Sequence, residues 1–485
     1  LKRLRTPSLR RDRFRLTVPL CSWTERLRQD RIDQDECFRK GKCSMEGYLI
    51  GFDIGTLSSK AVLTDLQGNV VEKFQREHDI QVKYPGWQEE SMEMWWEEFC
   101  QAVSCFLEKE NVPAEQIRAV GVTGLIPALC AVDREGNAIR SAMLHTDVRA
   151  EHELQEIQEK LSPAVTHGHM LPKILWVKAH EPENFKKISK VFVPHGYIGY
   201  RLTGDSTMDY DAASMVGEMF DEEKLAWNEE AARVFGLPAD IFPQLKPANA
   251  VIGCVSQSAA EETGLSVNTQ VIAGVGDTFA SMLGGGAYNA GHFMIYLGTS
   301  GTSMYAENSP EEYVDVPHYG EKKGHFAGRI FSFGESILHL RKNLRYEDWE
   351  ELNSHLDEIE PGTDGLWYFP HYKLQTEASF FGPDAEFMLG YRGCHTQYHL
   401  YHAMLEGIAY NACSNIRNFN LPVKQINIFG GGANSREICQ MFADVIGREL
   451  HYNPKSSTAL GAAFLAGYGS GAVKSYSELT ETWFG

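Results

Sequence analysis

The sequence predicts an α/β protein built from two related domains that face each other across a cleft. Three observations point that way. The chain has 485 residues, 43% of them hydrophobic, which is more than one core usually organises. Its body alternates short apolar runs, tight turns and helical periods, the pattern of layered α/β folds. An unusual hairpin, in which an apolar strand runs into glycine and hydroxyl residues and then a second strand, occurs twice. The two copies are IGFDIGTLSSKAVLTD (50–65) and GHFMIYLGTSGTSMYAE (291–307), about half the chain apart.

Taken in order, YLIGFDIG (48–55) reads as a buried strand, and AVLTDL and VVEKF flank the turn QGN as a hairpin. MEMWWEEFCQAVSCFLEKE (92–110) carries apolar residues at helical spacing. IRAVGVTG (117–124) is a second buried strand and LCAVDREGNAI (129–139) a second hairpin, after which residues 151–245 read as mainly helical. VIAGVGDT (271–278) is a strand ending in a glycine-rich turn, and QINIFGGGANSREICQMFADVIG (425–447) is a strand, a triple-glycine turn and an amphipathic helix. The boundary is expected near Ala287–Asn289, giving a basic extension over 1–44 and domains over 45–288 and 289–485.

The net charge of −19 argues against nucleic acid or an anionic membrane as partner, since both need clustered Lys and Arg. No run of 18 apolar residues suggests a membrane span. Ten cysteines without a C-x-x-C pair or a zinc-ligand spacing fit free thiols in a reducing cytoplasm. Residues 1–44 differ from the rest, with thirteen Lys/Arg against six Asp/Glu; this net of +7 leaves −26 on the remainder. We expect this segment to be disordered. It reads as a transit peptide, a basic tail or translated upstream sequence. Asp30, Asp33, Asp35 and Glu36 speak against the first, and a true start at Met45 is the expectation we favour.

In DIGTLSSK, a carboxylate at a strand end is followed by a tight turn of glycine and hydroxyl residues. Such a turn offers N–H and O–H groups to phosphate while Asp53 can hold Mg2+, although an ordinary hairpin with an Asp turn has the same local look. LGTSGTS (297–303) repeats this chemistry without the acid, and a pair of such turns suits clamping a nucleotide's phosphates. There is no G-x-x-x-x-G-K-[ST] loop to do that otherwise. FGGGAN (429–434) lets the backbone approach a ligand at a helix start, or is simply a tight connection. GVGDTFA places Asp277 just after a glycine turn. Phosphoryl transfer to an alcohol needs one carboxylate to take the hydroxyl proton, although an Asp in that place can also cap the following helix.

The ordered set DIGTLSSK, HTDVRA, GVGDTFA, YLGTSGTS, FGGGANSREICQMFADVIG and STALGAAFLAG resembles the FGGY family of carbohydrate kinases, nearest its xylulokinase-like branch, from residue 46 to about 470. The resemblance implies two ribonuclease H-like domains of the actin-like ATPase kind, and phosphorylation of a sugar or polyol hydroxyl with ATP and Mg2+ as cofactors. By position, Asp277 resembles the catalytic base and Asp53 the metal-side aspartate. Thr56, Ser58, Ser59 and Lys60 match the first phosphate loop, Gly298, Thr299, Ser300 and Gly301 the second, and Gly431, Gly432 and Asn434 the adenosine turn. Asp147 and Arg149 fall beside the sugar pocket, while LTGDSTMDYDAAS and HLYHAMLEGIAYNA read as scaffold.

Three departures stand out. Where xylulose kinases carry Met-His-Gly after the second strand, this chain has Leu125, Ile126, Pro127 and Ala128, so Ile126 and Pro127 form an apolar substrate wall. A buried sugar hydroxyl left without its partner costs about 1–3 kcal/mol, enough to change which sugar fits. The stretch YFPHYKLQTEASFFG lacks the usual Gly-Glu-Arg, which touches the cleft rim or a subunit contact, so a homodimer stays open. The chain also ends at SYSELTETWFG, short of a tyrosine-rich tail. A non-catalytic sensor of sugar and nucleotide is the alternative reading. An ATPase that drives a protein partner is the third, and it would need a further module.

Overall fold

The computed structural model describes residues 47–298, 300–306, 326–344, 349–370, 387–418, 422–476 and 478–484. Thr299, the basic extension 1–44 and residues 371–382 of the altered loop lie outside the described residues.

The chain forms two compact units. The first runs to Ala290 and also takes in the stretch from Lys455 onward; the second comprises Gly291–Tyr305 and Phe326–Pro454. In the first unit, β1 (Tyr48–Ile54), β2 (Ser58–Asp65) and β3 (Val70–Glu77) are followed by helix α1 (Met92–Lys109) and β4 (Ile117–Gly124). Further on come α2 (Pro194–Thr203), α3 (Tyr210–Ser214), β5 (Val251–Cys254), β6 (Gln270–Ile272), β7 (Val275–Gly276) and α4 (Asp277–Gly284). Among the described residues these strands make a seven-stranded sheet that includes the order β5-β6-β4-β1-β2-β3, with β7 also paired to β4.

The second unit holds β8 (His292–Leu297), β9 (Ser300–Ala306), β10 (Phe326–Ser332), α5 (Gln397–Asn418), β11 (Gln425–Phe429), α6 (Arg436–Ile446) and β12 (His451–Tyr452). Its sheet runs β10-β9-β8-β11-β12. In each unit the first strand pairs antiparallel with the second and parallel with a later one, so the repeated hairpin of the sequence opens two sheets of the same plan. The expected hairpin at 129–139 is reduced to a turn with one bridge, Val132 to Ala138. Cys130–Val132 pairs instead with Lys190–Phe192, because a distant buried strand offers a longer ladder than the exposed arm of the turn. Residues 151–245 are largely helical, as expected, and enclose a core of their own around Leu171, Ile174, Trp176 and Val177.

The last helix, α7 (Thr458–Gly469), lies in the second half of the chain but belongs to the first unit. It is apolar on every side, so it needs burial all round, and the first sheet supplies it. On β1, Phe52 and Ile54 point into the core shared with Trp95, Phe99 and Phe106 of α1. Strand alternation turns Gly51 to the other face. There a Cβ would lie 1.9 Å from the carbonyl oxygen of Ala459, and one on Gly121 of β4 would lie 2.2 Å from that of Ala462. Gly461 and Gly284 make the same close approach between α7 and α4, with Cβ positions 2.0 and 1.9 Å from the Ala280 and Ser457 oxygens. Backbone therefore packs on backbone along the whole helix. We expect Gly51→Ala to destabilise the first unit by about 1–3 kcal/mol, as overpacking does, read as a lower midpoint in chemical denaturation. An unchanged midpoint would contradict this packing. Among the described residues no helix is long and apolar enough to cross a membrane.

Candidate active site

The strand pairing decides which predicted residues meet. Asp53 sits at the carboxyl end of β1, in register with Lys60 of β2 on one side and Thr123 of β4 on the other. Val275 of β7 also pairs with Thr123, so β1 and β7 flank β4 with their ends level. Two strand spacings, about 10 Å, separate the Asp53 and Val275 backbones, and Asp277 lies two residues further on. Both carboxylates thus stand at the carboxyl ends of parallel strands, where α/β sheets bind ligands.

They sense each other. Burial pushes the Asp53 carboxyl up to about 7, helped by the negative charge of Asp277 and opposed by Lys60. Burial likewise pushes Asp277 up to about 6, while hydrogen bonds from the backbone and hydroxyl of Thr278 and the neighbouring His195 pull it down. Asp277 is half-buried, so a substrate can reach it. It is not the cap of α4, as one sequence reading had it. Gly276 occupies that position with an extended backbone, and Asp277 is the first helical residue, accepting a hydrogen bond from Thr278 Oγ1 at 3.3 Å.

Asp53 is 8% exposed, and its Oδ1 has no hydrogen-bond partner among the described residues. No group of three or more His, Cys, Asp or Glu side chains able to hold a metal ion occurs among the described residues. An ion here would take one or two carboxylates and fill its other positions with water and phosphate oxygens, which is the habit of Mg2+. The donor set fits.

Thr56, Ser58 and Lys60 are half-buried, on or beside the turn that joins β1 to β2. Ser59 is not with them. Strand alternation points it into the α1 face, where it is fully buried and its hydroxyl finds no partner among the described residues. Ile126, reached through a cis peptide to Pro127, does meet the site: a Cβ on Gly276 would fall 2.2 Å from Ile126 Cδ1 and 3.1 Å from Asp211 Oδ2.

Asp147 and Arg149 spend their polar groups on each other and on the chain before them. Asp147 accepts hydrogen bonds from the Gln88 backbone at 2.7 Å and from Arg149 Nη2 at 2.6 Å. Arg149 Nη1 meets Glu89 at 2.6 Å, and its guanidinium lies 3.7 Å over the Trp87 ring. This lattice fixes the Trp87–Gln88–Glu89 wall, and both Asp147 oxygens accept hydrogen bonds within it.

In the second unit the Leu297–Gly301 register closes the second hairpin, and the Gly298 carbonyl accepts the Gly334 N–H at 3.2 Å. The triple-glycine turn does not open α6 directly. Gly431–Asn434 forms a single 3-10 turn, and Ser435 caps α6 by accepting the Ile438 N–H. Gly430 takes a φ of 101°, and a Cβ there would strike the Leu297 oxygen at 2.6 Å. Gly431 faces open space, Gly432 packs on the Phe333 ring, and exposed Asn434 accepts from the Tyr452 hydroxyl at 2.9 Å.

The sequence reading missed His195 and Asp209. His195 Nε2 and Asp209 Oδ2 are 2.6 Å apart, both fully buried, and Asp209 also caps α3 through the Ala212 N–H. A Cβ on Gly274 would sit 3.2 Å from His195 Cδ2, which puts this pair beneath the strand end that carries Asp277. The only signal was the acidic stretch STMDYDAAS, taken as scaffold; nothing local announces that His195 faces it.

The fold and this site define a two-domain α/β protein of the actin-like ATPase kind, with coupled carboxylates at its strand ends. The chain belongs to the FGGY family of carbohydrate kinases, which are ATP-dependent phosphotransferases. The model of the family's N-terminal domain matches residues 48–284 and that of its C-terminal domain residues 293–470. A xylulose kinase of Bacillus subtilis (strain 168) is 28% identical over 453 residues, 90% of each chain. A glycerol kinase of Thermococcus gammatolerans (strain DSM 15229 / JCM 11827 / EJ3) is 26% identical over 467 residues, 90% of this chain and 92% of that one. The crystal structure of xylulose kinase from Rhodospirillum rubrum superposes with a TM-score of 0.73 at 26% identity, covering 89% of this chain and 92% of that one. Proteins named for different substrates thus match nearly equally well, and the resemblance defines a carbohydrate kinase rather than one sugar.

Proposed function

We propose that this protein transfers the terminal phosphoryl group of ATP to a hydroxyl of a ketopentose such as xylulose, or of a related sugar or polyol, with Asp277 as general base. The observation that carries this reading is the coupled pair Asp53 and Asp277 at the ends of β1 and β7. A base at about 6 is ionised at neutral pH yet basic enough to take a proton. As the sugar oxygen bonds to phosphorus, the bond from phosphorus to the β–γ bridging oxygen breaks, ADP leaves, and the hydroxyl proton passes to Asp277 and then to solvent.

Asp53 would hold Mg2+ directly or through water, and the ion, when bound, neutralises charge on the phosphates. Thr56, Ser58 and Lys60 are assigned to the phosphates from the first unit. Gly298, Ser300, Gly301, Gly431, Gly432 and Asn434 are assigned to the nucleotide from the second. Ile126 and Pro127 line the sugar side with apolar surface, and Asp147 and Arg149 serve that side by holding Trp87 and Gln88. We place the protein in the cytoplasm, a reading supported by the free thiols of Cys100, Cys105, Cys130, Cys254, Cys394, Cys413 and Cys439.

The test is ATP consumption by the full chain against ketopentoses, deoxyketoses, polyols and sugar acids. We expect one substrate class to turn over, and that turnover to vanish in Asp277→Ala. Binding of ATP without turnover of any substrate, or turnover indifferent to Asp277, would contradict the proposal.

A further inference from the structure

A buried charged cluster stands directly behind the first hairpin turn. His78, the residue after β3, has a side chain only 2% exposed, and two buried carboxylates enclose it. Glu98 of α1 presents both oxygens to Nδ1 at 3.2 and 3.1 Å, and Glu90, on the short strand Glu89–Glu90, lies 3.5 Å from Nε2. Glu90 is itself held by the Trp95 indole N–H at 2.8 Å. The ring's other contact is the point of interest, because Nε2 lies 3.0 Å from the carbonyl oxygen of Gly55. The His78 backbone N–H donates to the carbonyl of Leu57 at 3.1 Å.

These two bonds grip a turn that is itself closed by the Gly55 N–H on the Ser58 carbonyl, at 3.1 Å. A carbonyl oxygen can only accept, so Nε2 must carry the hydrogen of its bond to Gly55. Glu98 and Nδ1 then share one more proton. Whether it rests on the ring or on the carboxyl, Nε2–H keeps pointing at Gly55. Buried carboxylates on two sides favour the ring as the cation, and together they raise its pKa against the desolvation that lowers it. The groups facing the ring are Glu98 from α1, Glu90 from the short strand, and the carbonyl of Gly55.

We propose that His78 is a positioning residue for phosphoryl transfer. Oriented by Glu98, it anchors the Gly55 carbonyl and so sets the turn from which Thr56 and Ser58 meet the phosphates. This rests on the reading above that the 55–58 turn binds phosphate. His78 touches no substrate and acts through the backbone. A conformationally free turn would have to be ordered each time nucleotide binds, and prior anchoring removes that cost.

The test uses the full chain and MgADP, so no sugar need be known. Calorimetric MgADP affinity and amide hydrogen exchange over residues 54–60 are measured for His78→Phe, for Thr56→Ala, and for Trp95→Phe, which removes a buried N–H from Glu90 without touching the turn. We expect His78→Phe to weaken MgADP by about tenfold and to speed exchange at 55–58 by a similar factor, the size set by one lost charge-assisted hydrogen bond. His78→Gln, which keeps a single donor, should fall between and carries the test if the Phe variant does not fold. Trp95→Phe should lower stability yet leave MgADP affinity within about twofold. An equal loss in Trp95→Phe, or wild-type affinity in His78→Phe while Thr56→Ala is weakened, would overturn the role of His78 alone. Unchanged affinity in Thr56→Ala would remove the phosphate reading of the turn and this inference with it.

Discussion

Asp277→Ala is expected to lower kcat by about 10^3-fold, within the 10^2–10^4 range that a positioned base contributes, while MgATP affinity changes by less than about threefold. The asymmetry follows from position. Asp277 stands at the end of β7, and it meets its own neighbour Thr278 and, electrostatically, Asp53 and His195. Removing it takes away the proton acceptor and leaves the β1–β2 turn intact. The wild-type pH profile carries the same signature. Burial raises the Asp277 carboxyl to about 6, so the protonated, inactive form accumulates below that value. The pH dependence of kcat/KM should fall towards tenfold per pH unit on the acid side and flatten above about 7. Steady-state rates of the two proteins from pH 5 to 8 decide the matter; an Ala variant that keeps its rate would remove Asp277 from the chemistry.

Asp53→Asn is expected to have two effects of opposite sign, a more stable fold and a much slower enzyme. Its carboxyl is raised from the ordinary 3.8 to about 7, first by burial and then by Asp277. A folded-state pKa above the unfolded one means that the folded chain holds the proton more tightly. The resulting stability is complete below about 3.8 and is lost as pH rises through about 7. Wild type should therefore lose stability between pH 5 and pH 8 relative to the Asn variant. Over that window the ceiling is about 2.7 kcal/mol, two pH units between 5 and 7 at about 1.4 kcal/mol each, and relaxation of the site makes on the order of 1–2 kcal/mol the realistic loss. Saturating Mg2+ should restore part of it in wild type and none in the variant, by linkage of binding to folding. Turnover should drop by about 10^2-fold or more for want of the metal-side acid. Denaturation midpoints at pH 5 and pH 8, with and without Mg2+, are the measurement. Parallel pH dependences in the two proteins would show that Asp53 is not the strained group.

Much of the frame was legible in residue order. The two glycine-hydroxyl hairpins are local objects whose strands lie next to each other in sequence, so apolar runs and turn residues suffice to place β1–β2 and β8–β9. Asp53 and Asp277 could be picked out because each follows a buried strand and sits at a glycine turn. Ser59 shows the limit of motif transfer, since a one-residue step along a strand reverses its face and buries the hydroxyl behind the sheet. Asp147 and Arg149 show another limit. The spacing placed them near the sugar side, but only their contacts reveal that Trp87, Gln88 and Glu89 absorb their donors and acceptors.

By itself, then, the sequence determined the class of this protein, its two-domain plan and the position of two carboxylates at strand ends, because short-range patterns encode strands, turns and their ends. The tertiary structure alone decided that α7 returns to the first sheet, that His195 and Asp209 lie beneath Asp277, and that His78 bonds the β1–β2 turn from behind. Those relations join residues tens to hundreds of positions apart. They arise from burial, since an apolar helix seeks a glycine-lined face and a buried imidazole needs acceptors, and burial is a property of the packed chain rather than of any stretch within it.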